Sequence, residues 1–328
     1  MVHLNTHGWL AKDVSAVMQA FGGAEHDVLV FTETWLREGA DAPEIPGFTV
    51  ALNLPRSRRL QRGGTRGGIC CYVADPLASS VEVLVTGLHQ CYALLRVSGL
   101  VGRQEDAYIF ACYMPPEGSS GFGRDGGKAV WDALQEEVGR TMRLGHVFLI
   151  GDLNARTSTL PDFPGSINQP IHETFNLSDA LPTHSLRHSR DRADAVNRWG
   201  TNLLDICKST SMRIANGRVP GDEEGEVTFV SSGQEGSSLI DYVLAGPSAM
   251  PLIQSLRVLP TPESDHSALQ LLLQRQAVEP SERRHRKRRG AQQQQPQPTA
   301  PAPKGLRSSA ELEAATAATL YLWRAHDA

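Results

Sequence analysis

Short apolar runs alternate with turn residues along the first 274 positions, and the pattern stops there. Runs rich in Val, Ile, Leu, Phe and Tyr predict strands at 2–4, 28–32, 48–52, 68–73, 81–86, 92–97, 108–113, 147–150, 227–230, 239–244 and 268–273. Two stretches have helical spacing instead. Residues 128–144 place Val130, Leu134 and Val138 on one stripe beside Trp131 and Met142, and residues 198–211 turn Leu203, Leu204 and Cys207 inward. A weaker helical pattern covers 10–21. Many strands with few interspersed helices argue against a bundle or a pure barrel. The expected class is α/β (α+β), two stacked mixed sheets with helices outside. Residues 162–196 are polar and irregular, too long for an ordinary connection, and are expected to line a functional face.

Composition adds limits. Of 328 residues, 40% are hydrophobic and 21% charged, which excludes wholesale disorder. No apolar run approaches the ~18 residues that span a bilayer, so no membrane partner is expected. The start lacks a basic segment followed by a long apolar stretch, so the expectation is a nuclear or cytoplasmic chain that is not secreted. Cys70, Cys71, Cys91, Cys112 and Cys207 have no CxxC spacing and read as buried, reduced thiols.

The net charge of −4 hides an asymmetry. Residues 1–279 carry 23 Lys and Arg against 32 Asp and Glu, a net of −9, and residues 280–328 carry 9 against 4, a net of +5. An acidic body suits a protein that holds a divalent cation among carboxylates better than one that binds phosphate backbones through basic patches. The expected organisation is a folded domain over 1–275, a disordered linker over 276–305 and a short helical tail over 306–328. The linker holds the basic run Arg283-Arg284-His285-Arg286-Lys287-Arg288-Arg289 and a Gln/Pro/Ala tract, and Ser308 with Glu311 makes a capping box for the tail. The basic run is a solvated tail, with nuclear import or nucleic-acid binding as the second reading.

Polar residues at the ends of apolar strands carry the chemistry. The run 28–31 leads into Thr32-Glu33, and 147–150 leads into Gly151-Asp152-Leu153-Asn154. Asp241 sits inside the strand over 239–244, and Ser264-Asp265-His266 immediately precede the last strand. A carboxylate at a buried strand costs desolvation energy unless it is paired or bound to metal. One such case is ordinarily a turn or a cap; four predict convergence at one edge of the sheets, with a divalent cation or protonated His compensating the charge. Oxygen ligands without Cys point to Mg2+ or Mn2+, the metals of phosphoester hydrolysis.

Six motifs occur together in order: Asn5-Thr6-His7-Gly8, Thr32-Glu33-Thr34-Trp35-Leu36, Ala111-Cys112-Tyr113-Met114-Pro115-Pro116, Gly151-Asp152-Leu153-Asn154-Ala155-Arg156, Leu239-Ile240-Asp241-Tyr242 and Ser264-Asp265-His266. In this the chain resembles the endonuclease/exonuclease/phosphatase superfamily, over about residues 2–274. Within it the resemblance is to the apurinic-site-like endonuclease domain of non-LTR (LINE-type) retrotransposons. Arg66-Gly67-Gly68 before a strand and the basic, Gln/Pro-rich tail, which is similar to a junction with a reverse transcriptase, add to it.

The resemblance implies a DNase I-like, four-layered α/β/β/α sandwich and a Mg2+-dependent DNA-nicking phosphodiesterase that leaves a 3′-hydroxyl. It implies Glu33 and Asp265 as metal ligands, and Asp152 as the group that orients or deprotonates water, held by Asn5 and Asn154. It implies His266 on the scissile phosphate, oriented by Asp241, and Tyr113 on a phosphate oxygen or leaving group. Arg66 and Arg156 are assigned to substrate binding. His7 departs from the family, which often has an acid or Asn there. The alternatives are an abasic-site repair nuclease, a small-molecule or lipid phosphoesterase, or a catalytically silent scaffold. Trp35 and Phe229 read as core, and His3, His26, His89, His146, His172, His184 and His188 as structural. Arg187, Arg190, Arg192 and Arg198 read either as backbone contacts or as a solvated loop.

Overall fold

The computed structural model describes residues 1–21, 26–56, 67–102, 105–119, 122, 127–164, 187–192, 195–231 and 236–274. The apolar runs build two six-stranded sheets. Edge to edge, the first is β13 (Ile253–Leu259), β14 (Ala268–Leu273), β1 (Val2–Asn5), β2 (Val28–Thr32), β4 (Ile69–Ala74) and β3 (Phe48–Leu54). The second is β5 (Val81–Thr86), β6 (Tyr92–Gly102), β7 (Glu105–Tyr113), β8 (His146–Asp152), β12 (Asp241–Ala245) and β9 (Arg213–Ile214). β10 (Phe229–Val230) and β11 (Ser237–Ser238) form a separate two-stranded ribbon. Both large sheets are mixed: β1 and β2 run parallel, as do β7 and β8, and every other pairing is antiparallel.

Three apolar clusters show how the layers stack. One joins Val28, Val30 and Leu269 of the first sheet to Ile109, Ile150 and Val243 of the second, so the sheets pack face to face. A second packs the outer face of the second sheet (Phe110, Leu149, Tyr242) under α2 (Lys128–Thr141) and α3 (Arg198–Thr210). The third places Leu29, Phe31 and Tyr72 under α1 (Val14–Ala20). This is the four-layered α/β/β/α sandwich. Burial of these faces, at roughly 25 cal/mol per Å2, dominates its stability.

The differences from the sequence pattern have local causes. β13 does not read as a strand because a bulge between Ile253 and Ser255 breaks its period of two; Ile253 and Leu256 are both buried despite their odd spacing. The helix expected over 10–21 is divided into a 3-10 turn at Trp9–Ala11 and α1, which Asp13 caps by accepting from Ser15 N at 2.9 Å and Ala16 N at 3.3 Å. α3 ends at Ser211 (φ 63°). All five cysteines are free and buried. Among the described residues no helix is long and apolar enough to cross a membrane. The described residues all belong to one unit, Met1–Pro280, whereas the expected linker over 276–305 and tail over 306–328 lie outside them.

One buried ion pair anchors β9 to the loop after β8. Arg218 grips Asp162 with two bonds of 2.7 and 2.9 Å, and Ile214 N donates to the same carboxylate at 2.8 Å. Burial pushes the Asp162 carboxyl up, but Arg218 and the Ile214 amide outweigh it and hold it below the usual range. That contribution is full above the unfolded value of ~3.9 and is lost as pH falls through the lower folded value. Asp162→Asn is expected to cost roughly 3–5 kcal/mol in urea unfolding at neutral pH, because buried Arg218 loses its counter-charge. The gap from wild type should narrow progressively in acid.

Candidate active site

The site arises where the parallel pairs end. The last β1–β2 register pair is Asn5 with Thr32, and the last β7–β8 pair is Tyr113 with Asp152. β12 starts with Asp241 opposite Asp152. Glu33 follows β2 directly, and Asp265-His266 lie just before β14. Face-to-face packing brings these ends to one edge. A cleft of about 340 Å3 opens there, lined by Asn5, His7, Glu33, Asp152, Asn154, Arg156, Asn197, Phe229, Ile240, Asp265 and His266 among others. A larger cavity of about 530 Å3, lined by Met1, His26, Arg257 and others, contains none of these carboxylates.

Asp152 is held on three sides. Its Oδ1 accepts from Asn154 N at 2.9 Å, and its Oδ2 accepts from Asn5 Nδ2 at 2.8 Å and Asn154 Nδ2 at 3.2 Å. Asn154, at φ 46°, also donates to Met114 O at 2.8 Å. Asn197 caps α3 through Gly200 N at 2.8 Å and donates to Asn154 O at 2.9 Å, tying the Asp152 loop to the helix. The residue before Asp152 must be glycine, since a Cβ on Gly151 would sit 1.9 Å from Cys112 O on the neighbouring strand.

Glu33 sits at φ 50° with Trp35 Nε1 donating to Oε2 at 2.7 Å and the Tyr113 hydroxyl donating to Oε1. His266 Nδ1 meets Asp241 Oδ2 at 2.8 Å, and Asp265 meets His7 Nδ1 at 3.1 Å. Ser264 Oγ donates to Asn5 O at 2.7 Å and accepts from His266 N at 3.1 Å, so the His266 turn is fastened to the end of β1.

The electrostatics follow from this crowding. Burial and the neighbouring Asp241 push the Asp152 carboxyl up, against the opposing pull of His266 and the Asn154 amide. Burial alone would lower His266, but the charge and hydrogen bond of Asp241, with Asp152 and Asp265, outweigh it and raise the imidazole to about 9. Burial likewise works against ionised Asp265, and the His7 bond reverses it, holding the carboxyl below its usual range.

Asp152, Asp241 and His266 bring ligand-type atoms within 4.8 Å of one another. His266 Nδ1 is taken up by Asp241, and the raised imidazole suits a hydrogen-bond donor. Glu33 and Asp265 are carboxylates on the same cleft, oxygen donors of the kind that suits a hard cation; among the described residues Trp35 and Tyr113 donate to Glu33, and His7 and Ser264 meet Asp265.

Most residues singled out in the sequence therefore meet: Asn5, Glu33, Tyr113, Asp152, Asn154, Asp241, Asp265 and His266 form one connected group, and Arg156 lines the cleft. Arg66 lies outside the described residues. Three readings change, and a fourth gains a partner. Phe229 is no core residue but lines the cleft, its ring 4.9 Å from that of His266. Trp35 is half-buried and holds Glu33. His3, read as structural, is wholly buried, with Nδ1 3.8 Å from Asp241 Oδ1. Arg187 is buried against Thr157 and Ser158 O, which removes it from contact with a DNA backbone. Of the remaining loop arginines, Arg190 pairs with Glu226 at 3.1 Å and Arg198 stacks over Trp199.

The model of the Endonuclease/Exonuclease/phosphatase family matches residues 4–266. The chain belongs to this family. Its members are hydrolases of phosphate esters, and the superfamily typically depends on a divalent metal. No curated protein matches the chain. Among solved structures the fold is similar to the AP endonuclease LMAP from Leishmania major, with 16% identity, TM-score 0.59, and 83% of this chain and 86% of that one covered. It is also similar to the endonuclease domain of TRAS1, a telomere-specific non-LTR retrotransposon, with 15% identity, TM-score 0.53, and 84% and 98% covered. A 3'-5' exonuclease from Neisseria meningitidis shares 18% identity at TM-score 0.52, with 83% and 98% covered. At these identities the likeness establishes the DNase I-like fold alone.

Proposed function

We propose that the chain is a Mg2+- or Mn2+-dependent phosphodiesterase that nicks DNA, the endonuclease domain of a non-LTR retrotransposon, leaving a 3′-hydroxyl for target-primed reverse transcription. The observation that carries the hydrolytic reading is the meeting of Glu33, Asp152, Asp241, Asp265 and His266, drawn from distant segments, around one cleft. The order and wording of the motifs support the retrotransposon assignment. Its partners are then DNA and a reverse transcriptase domain encoded downstream, reached through the basic linker over 276–305 and the tail over 306–328. Its place of action is the nucleus or cytoplasm.

Each residue has a role that its contacts suit. Asp152, raised by burial, takes the proton of the attacking water, and Asn5 and Asn154 fix its direction. The His266 imidazolium donates to a non-bridging oxygen as charge develops there, held by Asp241. Glu33, oriented by Tyr113 and Trp35, and Asp265 would hold the cation. The bound cation supplies Lewis-acid stabilisation of the phosphate. Arg156, which lines the cleft, contacts the DNA backbone, and Arg66 is assigned the same role from the sequence alone.

A plasmid assay tests this. Supercoiled DNA with Mg2+ or Mn2+ should yield nicked circles whose ends a polymerase extends, and chelation with EDTA should abolish product. Intact plasmid in both metals, with or without phosphate release from small esters, would sink the nuclease reading. A second reading, abasic-site cleavage, is favoured by one feature: Phe229 and Ile240 give the cleft an apolar wall beside His266, suited to a sugar without its base. Strong preference for an abasic duplex over intact DNA in the same gel would select it.

A further inference from the structure

β1 alternates cleanly. Val2 and Leu4 join the apolar cluster on the outer face, so His3 and Asn5 turn toward the second sheet. There they oppose two carboxylates that are themselves register partners, Asp241 and Asp152. Asn5 closes on Asp152 at 2.8 Å. His3 Nδ1 lies 3.8 Å from Asp241 Oδ1. Both side chains are wholly buried, and neither His3 Nδ1 nor Asp241 Oδ1 has a hydrogen-bond partner among the described residues.

A charged oxygen and a ring nitrogen without partners, facing each other in a sealed interior, cost free energy unless each answers the other. The rest of the His3 ring decides which atom is the donor. Its Nε2 lies 3.1 Å from Thr32 Oγ1, and a threonine hydroxyl can donate to an unprotonated Nε2. The proton of the neutral ring then sits on Nδ1, pointing at Asp241. Burial, the largest effect, lowers the His3 pKa to about 4 against the raising influence of Asp241, consistent with a neutral ring.

We infer that His3 is a positioning residue for His266: its Nδ1–H faces Oδ1 of Asp241 across 3.8 Å, longer than a hydrogen bond but close enough to draw that oxygen electrostatically in the buried interior, so that Oδ2 stays on the His266 ring. The inference rests on the nuclease reading for its effect on rate, though not for its geometry. The chain Thr32–His3–Asp241–His266 thus crosses from the first sheet to the second and back to the turn before β14. It fixes the imidazole from behind, where no substrate reaches. His3 touches no reacting atom, so its loss acts only through the aim of His266.

The test compares wild type with His3→Leu and His3→Asn. Asparagine places an amide donor where Nδ1 stood and gives up the Thr32 contact; leucine keeps bulk and gives up both. Melting curves confirm that each variant folds. His3→Leu should lower kcat for plasmid nicking about tenfold or more with KM little changed, a size typical of groups that orient a functional imidazole. His3→Asn should restore most of it. In proton NMR, the downfield resonance of His266 Nδ1–H should persist in wild type and His3→Asn and be lost or shifted in His3→Leu. Wild-type rate with an unchanged resonance in His3→Leu, or a loss that His3→Asn does not rescue, overturns the inference. If wild type itself does not nick DNA, the nuclease reading fails and the resonance alone decides the place of His3.

Discussion

Asp152→Asn should lower plasmid nicking by roughly 10^2–10^4-fold, the span that a positioned general base contributes, while the protein stays folded. The neutral amide cannot take up a proton from water. All three of the groups that hold Asp152 are donors: Asn154 N, Asn154 Nδ2 and Asn5 Nδ2. An amide there satisfies only part of the set, which costs stability. The same change also removes a buried charge that burial and Asp241 both disfavour, which restores stability. With the two effects opposed, the midpoint of urea unfolding in EDTA should stay close to wild type. KM for plasmid should also change little, because Asp152 is assigned to water and not to the DNA backbone. Undiminished nicking would remove Asp152 from the reaction.

This result would bear on how the site was legible in the sequence at all. A strand that ends in an acid leaves a mark: Val147-Phe148-Leu149-Ile150 is uniformly apolar, and Asp152 follows after one glycine. Glu33 and Asp152 at strand ends, with Asp241 and Asp265-His266 at or just before strand starts, locate the cleft, because neighbouring strands meet at a shared edge. Glu33 and Asn154 could be named as residues but not as bends; their positive φ values of 50° and 46° appear only with the fold. His3 was out of reach for a different reason. A polar residue second in a four-residue strand looks like a satisfied core histidine, and only the packing of one sheet on another reveals Asp241 opposite. The strand of Phe229 has two residues, too short for alternation to say which side faces the cleft. β13 leaves no alternating trace in the sequence because its bulge shifts the apolar period midway.

His266→Gln is expected to cost roughly 10^2–10^3-fold in rate, the usual loss when one preorganised donor to a developing oxyanion is removed. Here the donor also carries charge, since Asp241 keeps the ring protonated near neutral pH. The same substitution should destabilise the fold. Asp241 has no exposed surface, and without the imidazolium its carboxylate loses its 2.8 Å partner and its counter-charge. These two losses have separate origins and can be separated by a second change. Adding Asp241→Asn to His266→Gln removes the stranded charge, so urea stability should recover toward wild type. Nicking should not recover, because no donor returns to the phosphate. If activity and stability instead came back together in the double variant, His266 would be a structural counter-ion for Asp241, and the phosphate would have to be met by another group on the cleft.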